Sequence, residues 1–116
     1  MNRLPRALAA FGALACGLSV ALGAYASHGL DGDGARRVGL AALFAFGHGL
    51  ALLLLAPAAG TRLRTAGLCG LAAGTLLFSG SLLAAVFLSA PTALAPTGGV
   101  LLMSGWLAIA ADALRG

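Results

Sequence analysis

Few side chains in this sequence can do chemistry, and the most exposed to suspicion is His48, held between Gly47 and Gly49 inside a long apolar run. An ionisable group inside a bilayer is costly and is by default a functional candidate, as part of a proton path or a ligand site. Counted from Val38 at ~1.5 Å per residue, His48 lies ~15 Å deep, near the midplane. The same count places Ser79 and Ser81 at a similar level, with Ser19 near it and Thr75 and Ser104 bracketing it. The arithmetic therefore predicts a midplane layer of His48, Ser19, Thr75, Ser79, Ser81 and Ser104. Within it, His48 is expected to face the helix bundle and to bond the third helix, foremost at Ser79, because an imidazole N–H turned to lipid has no partner. The alternatives are packing glue or a small transporter or channel built on that layer.

A second polar cluster follows the first apolar run: His28, Asp31 and Asp33. Histidine and carboxylate are competent metal ligands. Yet Asp31-Gly32-Asp33-Gly34 departs from a calcium loop after its first acidic positions. The expected roles are capping of the next helix by Asp33 and pairing with Arg36 and Arg37, with no metal. Asp112 and Arg115, three apart, are expected to pair at the membrane interface.

Other chemistries lack their residues. No carboxylate sits at mid-depth, as proton-coupled export of a cation would require. The two histidines lie at different depths, unsuited to a bis-histidine haem, and no Ser–His–carboxylate set can be assembled. Neither enzyme activity nor a cofactor is expected. Cys16 and Cys69 stand in separate apolar runs without a CxxC spacing and are expected to pack as small hydrophobes.

The elements that must position these groups follow from composition. Of 116 residues, 60% are hydrophobic and 9% charged, and the mean hydropathy is +1.01. A soluble domain carries about 25% charged residues, and disorder needs low hydrophobicity with high charge; neither describes this chain. The net charge is +4, and every basic residue is an arginine. Six of the seven stand as Arg3/Arg6, Arg36/Arg37 and Arg62/Arg64, at the ends of apolar runs. That placement is a topology signal and not a nucleic-acid patch.

Four runs, at about 7–26, 38–56, 65–88 and 98–114, each approach the ~20 residues that cross a ~30 Å hydrocarbon core. None shows the alternation of a barrel strand, and in lipid only helices and closed barrels satisfy the backbone. The expected fold is a single all-α domain: four antiparallel transmembrane helices in an up-down bundle joined by short turns. Met1–Arg6, the apolar run and Ala24-Tyr25-Ala26 have the form of a signal peptide, but the run exceeds a usual 7–15-residue h-region, so it is expected to stay as a span.

Lipid offers no hydrophobic drive to helix association, which then depends on close packing of small residues. The candidates are Gly17, Gly23, Gly70, Gly74, Gly80 and Gly105. They could serve contacts within the bundle, a homo-oligomer, or a larger membrane complex. Both termini are expected in the cytoplasm, since Arg3, Arg6, Arg62, Arg64 and Arg115 then lie inside and only Arg36 and Arg37 outside. Reporter fusions after Arg64 and after Arg115 should both read cytoplasmic; a periplasmic signal at either would contradict this orientation.

Several segments carry a resemblance to a known family. Residues 23–30, Gly-Ala-Tyr-Ala-Ser-His-Gly-Leu, are similar to the GAFGAHGL segment of the inner-membrane family called domain of unknown function 423. His48-Gly49-Leu50-Ala51-Leu52-Leu53 resembles its HALALL stretch, and residues 76–82 its LLFSGSL. Pro96-Thr97-Gly98-Gly99 and Gly105-Trp106 resemble its PxGG and GW elements. The sequence departs at Ala26, Ser27 and Gly49. The resemblance implies a small four-helix protein of the bacterial inner membrane, with no activity attached.

Overall fold

The computed structural model describes residues 2–58 and 60–115. It contains four helices: α1 (Arg3–His28), α2 (Gly32–Leu55), α3 (Arg62–Phe87) and α4 (Ala95–Arg115). Each is long and apolar enough to cross a membrane, and among the described residues there is no strand. The chain is therefore an all-α, multi-pass membrane protein in up-down order.

The helices run past the apolar segments because polar residues start them. The Asn2 side chain accepts from the Leu4 N–H at 3.0 Å to begin α1, and Thr61 accepts from the Arg64 N–H at 3.1 Å to begin α3, each meeting one of the free donors of a first turn. Helix α2 starts earlier than the apolar run suggests, and with a different cap. Asp31, not Asp33, is the N-cap, and its side chain makes no capping bond. Gly32 follows with φ +57°, a left-handed conformation that glycine adopts without steric cost. That single residue lets α2 turn back on α1 after only a few residues.

Close backbone approach holds neighbouring helices together. A Cβ on Gly12 of α1 would strike the Gly49 carbonyl oxygen of α2, and one on Gly49 would lie 2.6 Å from the Gly12 oxygen. On the other side, Gly67 and Gly74 of α3 face Gly105 and Gly98 of α4, where added Cβ atoms would come within 2.9 Å of the opposing carbonyl oxygens. In both α3 and α4 the paired glycines are seven residues apart, the repeat that keeps one seam facing an antiparallel neighbour at a shallow crossing. Gly70 lies in the same seam, where an added Cβ would come 3.4 Å from the Gly105 Cα. Gly17, Gly23 and Gly80 lie outside these seams: a Cβ on any of them would meet nothing within 4 Å. The seams pass instead through Gly12 and Gly49 between α1 and α2, and through the seven-residue pairs Gly67/Gly74 and Gly98/Gly105 between α3 and α4.

Between the two glycine-sealed pairs, α2 packs on α3, with Leu52 and Leu71 fully enclosed. Helix α1 also touches α3, while among the described residues α4 has close backbone neighbours only in α3. The helices thus form a folded row, and the outer faces of α1 and α4 remain open.

Candidate intramembrane site

Packing of α2, α3 and α4 gathers four aromatic rings: Phe44 and His48 on α2, Phe78 on α3 and Trp106 on α4. Phe44 lies 4.5 Å from Phe78 between ring centroids and 5.7 Å, nearly parallel, from His48; His48 lies 5.8 Å from Trp106. The Trp106 indole N–H donates to His48 Nε2 at 3.0 Å. An indole nitrogen can only donate, so Nε2 must be the accepting nitrogen. The proton then resides on Nδ1, which donates to the Phe44 carbonyl oxygen at 2.8 Å. Both ring nitrogens are engaged, one within α2 and one across to α4, where the backbones do not meet.

His48 is therefore not bonded to Ser79. Ser79 instead donates to the Ala41 carbonyl oxygen at 2.9 Å, fastening α3 to α2. The depth count failed because α2 begins at Gly32 and not near Val38. From the true ends, at ~1.5 Å per residue, His48 is ~24 Å and Ser79 ~12 Å from the same side. The expected layer does not assemble. Ser19 donates to the Cys16 carbonyl at 2.6 Å and Thr75 to the Leu71 carbonyl at 2.7 Å, both within their own helices. Ser104 is exposed, and buried Ser81 has no hydrogen-bond partner among the described residues.

At the membrane ends, the Asp33–Arg36 contact follows expectation, whereas the Asp33 cap and the Asp112–Arg115 pair do not form. His28, Asp31 and Asp33 are exposed. Asp33 meets Arg36 at 3.4 Å, with both side chains largely in solvent, a contact contributing about 0–1 kcal/mol. Among the described residues, no three His, Cys, Asp or Glu side chains gather where a metal could be held. Asp112 does not pair with Arg115; it accepts a hydrogen bond from the Thr61 hydroxyl, tying the end of α4 to the start of α3.

Trp106, Phe44 and Phe78 are the site residues that spacing did not reveal. A signal was present for Trp106: its donor needs an acceptor in hydrocarbon, and His48 carries the free ring nitrogen at a compatible depth. The link should be modest. Hydrogen bonds between membrane helices average about 0.6 kcal/mol and reach about 1.7, because the unfolded chain in lipid also finds partners. His48→Leu and Trp106→Phe should each leave a folded, inserted protein. In a double-mutant cycle of unfolding in mixed micelles, the coupling should fall in that range. Additive losses would mean that the rings merely lie side by side.

A sequence model of the family described as Protein of unknown function (DUF423) matches residues 22–99. No curated protein and no solved structure matches the chain.

Proposed function

The chain belongs to the DUF423 family, and from that premise we propose that it is a structural or accessory protein of the bilayer, acting through lateral helix contacts, first with a second copy of itself. The observation that carries this is the outer face of α1. Ala10, Ala13, Gly17, Ala21 and Ala24 are all exposed, and at 100° per residue they share one side of the helix. That side is turned away from Gly12 and Ser19, which are buried in the chain. Small residues at three- and four-residue spacing let two membrane helices approach closely, and a stripe of this kind is complementary to itself about a two-fold axis. A Cβ added at Gly17, at its centre, would meet nothing of its own chain within 4 Å.

The polar groups support the same reading over transport. The hydroxyls of Ser19, Thr75 and Ser79 bind carbonyl oxygens, and both nitrogens of His48 are occupied. No group in that set is left aimed along a path through the helices. Enzyme activity has no support either, since these side chains include no activated nucleophile or paired acid and base.

In this proposal the protein resides in the bacterial plasma membrane with both termini in the cytoplasm. The up-down order puts the start of α1, the α2–α3 turn and the end of α4 at one end, and five of the seven arginines with them. The test of function is association in the membrane: a cysteine placed in the α1 stripe should cross-link two copies, and Gly17→Leu should abolish the cross-link without unfolding the chain.

A further inference from the structure

The arginine-rich end of the molecule contains a cleft of about 430 Å³, open on one side, between the first turn of α1, the α2–α3 turn and the first turns of α3. Its lining divides by chemistry. Leu8 and Leu68 form an apolar floor toward the membrane, and both are buried. Asn2, Arg64 and Thr65 give it a polar wall, and no acidic residue lines it.

Arg64 is the unusual member. Its Nε is buried and has no hydrogen-bond partner among the described residues, and its guanidinium forms no ion pair there, Asp33–Arg36 being the ion pair present. The nearest acidic group on α4, Asp112, is engaged by the Thr61 hydroxyl. An arginine with a buried, unpaired N–H is costly unless an acceptor reaches it. The side chain is also held in position. Its stem lies over Gly60, where an added Cβ would come within 2.7 Å of the Arg64 Cδ and 3.4 Å of its Cβ and Cγ.

The rest of the cleft suits an anion. The first turns of α1 and α3 both direct their positive dipole ends to this side of the molecule. Asn2 uses its carboxamide oxygen for the Leu4 N–H, which leaves its NH₂ as a donor. Arg3, Arg6 and Arg62 are exposed at the same end and raise the local positive potential. A planar guanidinium matches two oxygens of a tetrahedral phosphate.

We propose that this cleft binds a phosphate ester through Arg64, with the apolar floor of Leu8 and Leu68 receiving the hydrophobic part of the same ligand. A phospholipid headgroup and a free phosphate share the anionic chemistry, and the floor favours the lipid. The proposal is independent of self-association through α1.

The experiment uses the full chain in mild detergent and follows binding of phosphatidylglycerol, phosphatidylcholine and inorganic phosphate by native mass spectrometry and titration calorimetry. Wild type should bind phosphatidylglycerol saturably with one site. Arg64→Gln should weaken that binding about ten-fold, the loss of one charge-assisted contact. Gly60→Val keeps all seven arginines but displaces the Arg64 stem, and it should weaken binding to a similar degree. Arg62→Gln removes an exposed charge that does not line the cleft and should change binding less than two-fold. Phosphatidylglycerol binding that persists in 10 mM inorganic phosphate identifies a lipid site. Saturable binding of inorganic phosphate alone, lost in Arg64→Gln, identifies a free-phosphate site. Equal loss in Arg62→Gln and Arg64→Gln, or wild-type binding in Gly60→Val, would overturn the proposal by reducing the effect to net charge. Should Arg64→Gln fail to fold, the comparison of Gly60→Val with Arg62→Gln decides.

Discussion

Gly12→Ala is expected to loosen α1 from α2, and Gly98→Ala to loosen α4 from α3, each by about 1–3 kcal/mol or more. The argument rests on what the new methyl groups would meet. At Gly12 the obstacles are the Gly49 carbonyl oxygen and the Leu53 nitrogen, 2.8 Å away. At Gly98 they are the Phe78 nitrogen and the Phe78 Cα and Gly74 oxygen, both at 2.9 Å. These are backbone atoms within helices, so no side-chain rotation can relieve the overlap and the helices must separate. Separation forfeits dispersion contacts along the whole seam, and in lipid those contacts supply much of the association energy. Gly49→Ala should resemble Gly12→Ala, and the double variant should cost less than the sum, since both methyl groups displace the same pair of helices. Gly17→Ala supplies the contrast: its methyl meets nothing within 4 Å, and its stability should stay within about 0.5 kcal/mol of wild type. Reversible unfolding in bicelles measures all five. Gly12→Ala no more damaging than Gly17→Ala would show that the α1–α2 seam is not closed by backbone contact.

These glycines show how unevenly sequence conveys structure in a membrane protein. The four spans were legible because a ~20-residue apolar run is the requirement for crossing lipid. Their ends were not, because Asn2, Asp31 and Thr61 start helices outside the apolar runs. In a chain with 18 glycines, neither composition nor four-residue spacing separates Gly12, which seals a seam, from Gly17, which does not. The seven-residue repeats Gly67/Gly74 and Gly98/Gly105 would have found one seam. Gly12 and Gly49 have no glycine at that repeat and become visible only when α1 and α2 are in register.

The polar site was legible in part for a related reason. His48 stood out as the one ionisable group deep in an apolar run. Its partner did not, because depth counted from an apolar boundary misplaced it by about two helical turns. The error moved His48 to the level of Ser79. A serine can satisfy itself on a carbonyl of its own or a neighbouring helix, as Ser19, Thr75 and Ser79 do. Such hydroxyls signal little about function, whereas an indole N–H cannot reach its own backbone in this way and must find an acceptor elsewhere.

Loss of self-association in Gly17→Leu is the second large effect expected, and it bears on the central claim. Four leucine carbons at the centre of the α1 stripe would hold two α1 helices apart, while an added Cβ there meets nothing of its own chain within 4 Å. The measurement is disulfide cross-linking in native membranes on a cysteine-free background, Cys16→Ala with Cys69→Ala. Ala13→Cys should cross-link two copies on oxidation. Leu107→Cys, on the exposed face of α4, should not. Adding Gly17→Leu to Ala13→Cys should reduce the cross-linked fraction at least about ten-fold, equivalent to ~1.4 kcal/mol of contact energy, with unfolding in bicelles unchanged. Equal cross-linking at Ala13→Cys and Leu107→Cys, or a cross-linked fraction indifferent to Gly17→Leu, would contradict a protein that works by pairing through α1.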